Sequence, residues 1–142
     1  MIRKYQERDL DHLLDVWYRA SKIAHSFLDE SFFISERNSI PKIYLPVAET
    51  YVFEKDGRLV GFISLIGQEV GAIFVDPEMQ GQGIGRALMD QARTLRGELE
   101  LDVFKANIIG RRFYDLYGFK EAYEHIHEQT KHPLIRLKLS GS

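Results

Sequence analysis

The sequence predicts one mixed α/β (or α+β) domain over residues 1–142, with elements in the order β-α-α-β-β-β-α-β-α-β-β. Three observations predict it. Asp56-Gly57 separates two β-rich runs, Thr50–Lys55 and Arg58–Ile66, and an Asp-Gly pair suits the type I′ turn of a hairpin. A short apolar run, Val70–Val75, leads through glycines at 81, 83 and 85 straight into a segment of helical periodicity. Finally, helical and strand-like segments alternate to the end without an internal repeat, a low-complexity tract or a linker.

In order, residues 1–6 are expected to form a first strand. Asp9 is placed as the N-cap of a helix carrying Leu10, Leu13, Leu14, Trp17, Ala20 and Ala24 on one face. A second helix is expected within Asp29–Ile40, ending before Pro41. Pro41–Pro46 reads as a loop, and its apolar Ile43, Tyr44 and Leu45 suggest that it covers something. The hairpin follows, then a tight connection at Gly67-Gln68-Glu69, then Val70–Val75 as a buried strand that Asp76-Pro77 ends. Ile84, Ala87, Leu88, Gln91, Ala92 and Leu95 mark a helix stopped by Gly97. Leu99–Val103 is a strand. Ile108–Tyr117 is a helix with Ile109, Phe113 and Leu116 on one face and Gly118 just past its end. Phe119–His127 and Leu134–Leu139 are the last two strands.

The composition narrows the function. Hydrophobic residues make up 44% and charged residues 28%, an ordinary globular balance. With no cysteine the chain needs no oxidising compartment and has no thiol nucleophile or Cys-ligated metal. A net charge of −2 argues against a nucleic-acid binder, whose basic face would dominate the count. Met1-Ile2-Arg3-Lys4-Tyr5 lacks the pattern of a signal peptide, and no stretch approaches the ~20 apolar residues that span a bilayer. A cytoplasmic protein without membrane or nucleic-acid partners, monomeric or homodimeric, is expected.

The segment Gln80-Gly81-Gln82-Gly83-Ile84-Gly85-Arg86 is where chemistry concentrates. Glycines admit positive φ and clear side chains from a ligand's path. The exposed N–H groups and the helix N-terminus then suit a diphosphate, with Arg86 as a further cation. A Walker A loop would need Gly-Lys-Ser/Thr, but Arg86 and Ala87 follow Gly85. The dinucleotide fingerprint fails as well, because counting from Gly81 puts Arg86 at the third glycine. What fits is Gln-x-x-Gly-x-Gly, with Gln80, Gly83 and Gly85 in register.

The run Ile73-Phe74-Val75-Asp76-Pro77-Glu78-Met79-Gln80-Gly81-Gln82-Gly83-Ile84-Gly85-Arg86-Ala87-Leu88-Met89 closely resembles the coenzyme A motif of the GCN5-related N-acetyltransferases. Asn107, Arg112-Phe113-Tyr114 and Tyr117-Gly118-Phe119 resemble the block that follows it in that family. The front half, with Trp17, His25, Ser26, Phe27 and Leu28, resembles a small bacterial subgroup typified by YjaB. The resemblance implies a mostly antiparallel central sheet flanked by helices, and acetyl-CoA as donor with no metal. It implies that Phe74 and Val75 pair with the pantetheine arm and that amides of Gln80, Gly81, Gln82, Gly83, Ile84, Gly85 and Arg86 take the pyrophosphate. Asn107 would contact the cofactor further along, and Tyr114 would protonate the departing thiolate. The reaction implied is direct attack of a neutral amine on the thioester in a ternary complex.

Several positions carry two readings. Tyr114 is either that acid or a packed helix residue, with Tyr117 as the rival phenol. Asn107 suits a helix N-cap as well as a cofactor contact. Val70–Val75 has no carboxylate to serve as general base; Glu69 and Asp102 are nearby candidates, acting through a water or merely solvated. His25, Phe27, Glu69 and His125 are assigned to an acceptor pocket, although His25 also suits a cap or a surface site. His125, His127 and His132 invite a metal reading that lacks a diagnostic third spacing, and lining the pocket is preferred. Trp17, Phe27, Phe32, Phe33 and Tyr44 are assigned mainly to core packing. The expected activity is acetyl transfer to a small-molecule amine, a peptide N-terminus or a lysine. A non-catalytic acyl-CoA-binding regulator and a tRNA-acetylating toxin are the alternatives, the latter disfavoured by the acidic balance.

Overall fold

Seven strands form one sheet in the order β1-β2-β3-β4-β5-β7-β6, in a computed structural model that describes residues 1–141. The strands are β1 (Ile2–Lys4), β2 (Glu49–Lys55), β3 (Arg58–Ile66), β4 (Glu69–Val75), β5 (Leu99–Phe104), β6 (Lys120–Ile126) and β7 (Pro133–Leu139). All neighbours are antiparallel except β4 and β5, which run parallel and meet at a single register pair, Glu69↔Glu100. Beyond that pair the two strands part, leaving a fork in the middle of the sheet.

Among the described residues the α-helices are α1 (Leu10–Ala24), α2 (Glu30–Ser39), α3 (Ile84–Arg96) and α4 (Ile108–Tyr117). The alternation of strand side chains sorts the core into two layers. On one face α1 and α2 bury Leu13, Val16, Trp17 and Phe33 against Val52, Phe62, Phe104 and Leu134. On the other, Ile84, Leu88, Met89 and Ala92 of α3 pack on Val60, Ile63, Leu101 and Ile135, with Phe113, Tyr114 and Tyr117 of α4 beside them. No helix among the described residues is long and apolar enough to cross a membrane.

The element order agrees with the sequence reading; several local expectations do not. Asp9 makes no side-chain cap to α1. Its carboxylate accepts the Gln6 N–H at 2.8 Å and two Arg3 guanidinium bonds at 2.8 Å, tying β1 to the helix start. Pro41–Pro46 is not simply a loop, because Ile40–Tyr44 forms a π-helical turn that continues α2. Pro41 has no N–H to give an α2 carbonyl one turn back, and past it the ladder widens to an i→i−5 bond, Leu45 N–H to Ile40 C=O at 2.9 Å. Ile40 and Leu45 reach the α1/α2 core, whereas Ile43 and Tyr44 are exposed. In α4 the face turned to the core carries Phe113, Tyr114 and Tyr117; Ile109 and Leu116 are 54% and 76% exposed, so the apolar spacing marked the wrong stripe.

Candidate active site

The site grows from the fork. Strand β4 is not the buried strand that its apolar run implies: Val70 is buried, Gly71 is exposed, and Ala72–Val75 are half-buried. The reason is topological. A parallel neighbour covers β4 only at Glu69, so its following amides and carbonyls face an open edge. Pairing with β3 also slips from Ser64↔Ala72 to Leu65↔Val70, which leaves Gly71 as the extra residue of a β-bulge. A bulge twists and bends its strand, and here it lies where β4 leaves β5. Phe74 packs on the α1/α2 side and Val75 on the α3/α4 side. A slot with free ladder groups along one wall accepts an extended, amide-bearing chain by strand-like pairing.

At its far end β4 runs into the glycine loop. Asp76, 2% exposed, accepts two bonds from the Arg19 guanidinium of α1 at 2.9 and 2.8 Å, and its carboxylate takes the Glu78 N–H at 2.9 Å. The Arg19 partner holds the Asp76 carboxyl below the usual carboxylate range. This pair fixes the turn Pro77–Met79 and hence the path of the loop. Neither Arg19 nor Asp76 stood out in the sequence; Asp76 read only as the end of a strand. Gln80 donates back to the Val75 carbonyl at 3.2 Å, and Gln82 accepts from Lys55 at 2.7 Å, so both glutamines brace the loop.

The three glycines are not equivalent. Gly81 and Gly83 have φ of 83° and 81°, and a Cβ on either would meet nothing within 4 Å. They are needed for backbone shape beside open space. Gly83 is also the N-cap of α3, whose first intrahelical bond runs from Ala87 N–H to Gly83 C=O at 3.0 Å. The amides of Ile84, Gly85 and Arg86 therefore have no partner within the helix and, with the helix dipole, suit an anion. Gly85 serves packing: a Cβ there would meet the Phe113 ring at 3.3 Å. Arg86 is exposed, with its guanidinium 5.7 Å over the Tyr117 ring.

Helix α4 supplies the two phenols. Tyr114 lies on the α3/α4 side, its ring edge-on to Phe113 and Phe119, and burial pushes its phenol pKa up. It therefore stays protonated at any working pH. Tyr117 donates to Asp90, and burial together with that carboxylate raises it to about 12. Only Tyr117 is thus held by a partner carboxylate on the neighbouring helix.

Asn107 is the N-cap of α4: its Oδ1 accepts the Gly110 N–H at 2.9 Å. That bond fixes the amide, so Nδ2 is the atom 3.3 Å from His25 Nε2. Nε2 must then be the acceptor and Nδ1 must carry the proton, which it donates to Ser21 Oγ at 3.0 Å. Burial lowers His25 to about 4, so the ring is neutral. Its ring lies 5.1 Å from Phe104 of β5 and 6.4 Å from Phe74 of β4, so His25 stands in the fork rather than at a surface. Phe27 joins it at 6.0 Å and also contacts Phe104 and His132.

Glu69 and His125 lie apart from that ring group, in a polar patch on the same sheet face. His125 Nε2 is 2.9 Å from Asp102 Oδ1. Arg136 reaches Glu100 at 2.5 Å, Glu69 at 3.4 Å and Asp102 at 3.3 Å. The structure therefore divides the assigned pocket residues into two groups, His25 with Phe27 and Glu69 with His125. Arg136, which ties the second group together, was missed because a lone arginine in a strand carries no pattern. His127 accepts from Thr130 and packs on Phe32 and Phe104 instead of joining His125. Among the described residues no group of three or more His, Asp or Glu converges as a metal site.

The fork, bulge and glycine loop can be set beside known proteins. The model of the acetyltransferase (GNAT) domain matches residues 46–121, just over half of the chain. The chain belongs to the GNAT acetyltransferase family. It is similar to peptidyl-lysine N-acetyltransferase YiaC of Escherichia coli (strain K12), 34% identical over 123 residues that cover 84% of this chain and 82% of that one. Peptidyl-lysine N-acetyltransferase YjaB of the same strain is 33% identical over 121 residues, 84% of this chain and 81% of its own. The solution structure of apo YjaB from Escherichia coli superposes with a TM-score of 0.88 at 28% identity, covering 100% of this chain and 98% of that one. As a GNAT protein with these relatives, the chain is an N-acetyltransferase.

Proposed function

We propose that this GNAT enzyme transfers the acetyl group of acetyl-CoA to the ε-amine of a lysine in a peptide or protein. The observation that carries the reading is the fork between β4 and β5 opening beside the 80–86 loop. The pyrophosphate sits on the amides of Gly81–Arg86, and the pantetheine arm pairs along Ala72–Val75. The thioester then lies between the strands. Tyr114 reaches it from the α3/α4 face and protonates the leaving thiolate, while the acceptor approaches from the face of His25, Phe27 and Phe104. Both YiaC and YjaB bear the name of peptidyl-lysine enzymes, which favours lysine over a small-molecule amine.

A thiol-reactive dye tests this directly, because a chain without cysteine gives no background of its own. With acetyl-CoA and lysine-containing peptides, CoA should appear in step with ε-acetyl-lysine by mass spectrometry. Tyr114→Phe should lower kcat about 100-fold while acetyl-CoA still binds, the range for loss of a general acid. Turnover of free amines but of no lysine peptide would overturn the acceptor assignment.

A further inference from the structure

We propose that Asp102 and His125 form the proton-accepting pair that neutralises the incoming ammonium. The inference rests on the lysine reading above. A lysine amine with pKa ~10.4 is uncharged in only about one molecule in 2,500 at pH 7. Only the uncharged form has the lone pair that attacks a thioester. A base beside the fork is therefore needed, and β4 holds no carboxylate past Glu69.

Asp102 lies two residues beyond Glu100, the last residue of β5 that pairs with β4, and so shares its face at the point where the fork opens. Phe104, on the same face, reaches the His25 ring at 5.1 Å. A carboxylate can only accept, so the 2.9 Å bond to His125 means that Nε2 carries the proton. The other nitrogen, Nδ1, keeps its lone pair. The groups that face this pair are Arg136 of β7, 3.3 Å from Asp102 Oδ2, and Tyr123 of β6, ring to ring with His125 at 5.6 Å. His127, the residue after β6, feels the charges of Asp102, His125 and His132, and Lys105 pairs with Glu124 at 3.0 Å. Arg136 anchors the Asp102 carboxylate, which in turn orients the His125 ring through Nε2. Side chains of Asp102 and His125 are 28% and 38% exposed, so water and substrate reach both.

The other candidates are committed elsewhere. Both nitrogens of His25 are engaged, by Ser21 and Asn107. His127 Nδ1 accepts from Thr130. Glu69 sits at the closed end of the fork and shares Arg136. The face matters too: Tyr114 is on the α3/α4 side and the pair on the α1/α2 side, so acid and base flank the thioester. The ammonium gives one proton to His125 Nδ1, directly or across one water. The amine then forms the C–N bond as the C–S bond breaks, and the thiolate takes a proton from Tyr114. The second nitrogen proton goes to solvent and Tyr114 regains one, so the net release is the single proton passed on by His125.

His125→Gln keeps a donor toward Asp102 but cannot accept a proton. We would measure kcat/KM against pH for a lysine peptide and for methoxyamine, which is already neutral at pH 7. For the peptide, the variant should lose about 100-fold at neutral pH and recover most of it in alkali, as loss of a general base implies. For methoxyamine the change should stay below about threefold. His125→Ala with added imidazole should regain peptide activity. Equal losses on both acceptors, or an unchanged pH profile, would overturn the pair while leaving acetyl transfer intact. Wild-type protein that acetylates methoxyamine but no peptide would instead sink the lysine reading.

Discussion

Acidification from pH 6.5 toward 4 should destabilise this protein, and His25 should be the main cause. The ring is neutral because the Asn107 amide donates to Nε2 and because burial opposes charge. Its pKa falls from 6.5 to about 4 in the folded state. The unfolded chain thus binds a proton that the native state refuses, so stability must fall as pH drops from the unfolded value toward the folded one. The penalty is about 2 kcal/mol at pH 5 and about 3 kcal/mol once pH is below 4. Urea unfolding followed by the single tryptophan, Trp17, buried in the α1/α2 core, measures it. His25→Gln still offers an acceptor to Asn107 but does not titrate. Between pH 7.5 and 5 the wild type should lose about 2 kcal/mol more than the variant. His127, also lowered by burial, acts in both proteins and cancels in the difference. Parallel curves, within ~0.5 kcal/mol, would refute the neutral-histidine network, since additive effects agree to that margin.

Two further outcomes follow from the loop. Gly83→Ala should cost ~1 kcal/mol through its φ of 81° alone, because its Cβ has open space, and should weaken coenzyme A binding in calorimetry; Gly85→Ala should instead disturb Phe113, read by aromatic ring shifts in NMR. Arg19→Met strands the buried Asp76 carboxylate and should cost ~2–3 kcal/mol in urea unfolding at pH 7, less than a fully buried pair because Arg19 is partly exposed. Asp76 is held low, so that cost is fully present above pH 4 and should close as pH falls below it.

Much of the architecture was legible because local signals agreed. Asp56-Gly57 has both residues at positive φ and closes the hairpin, and Gly97 and Gly118 end α3 and α4. Asn107 was readable as a cap for the same local reason. What escaped depends on distant partners. The half-buried state of β4 follows from a fork made with a distant strand, where Glu69 meets Glu100. The Arg19–Asp76 bond and the Arg136 network join segments whose spacing carries no signal. The glycine motif marked the right loop yet left three roles unseparated, because only packing distinguishes Gly85 from Gly81 and Gly83.

The proposed chemistry depends on acetyl-CoA occupying the fork with its pyrophosphate on the 80–86 loop. Amide NMR during a coenzyme A titration tests it most directly. The largest shifts should fall at Gly81–Arg86, at Ala72–Val75 and at Asn107. Saturable binding with those amides unmoved, and the shifts gathered elsewhere on the molecule, would contradict it.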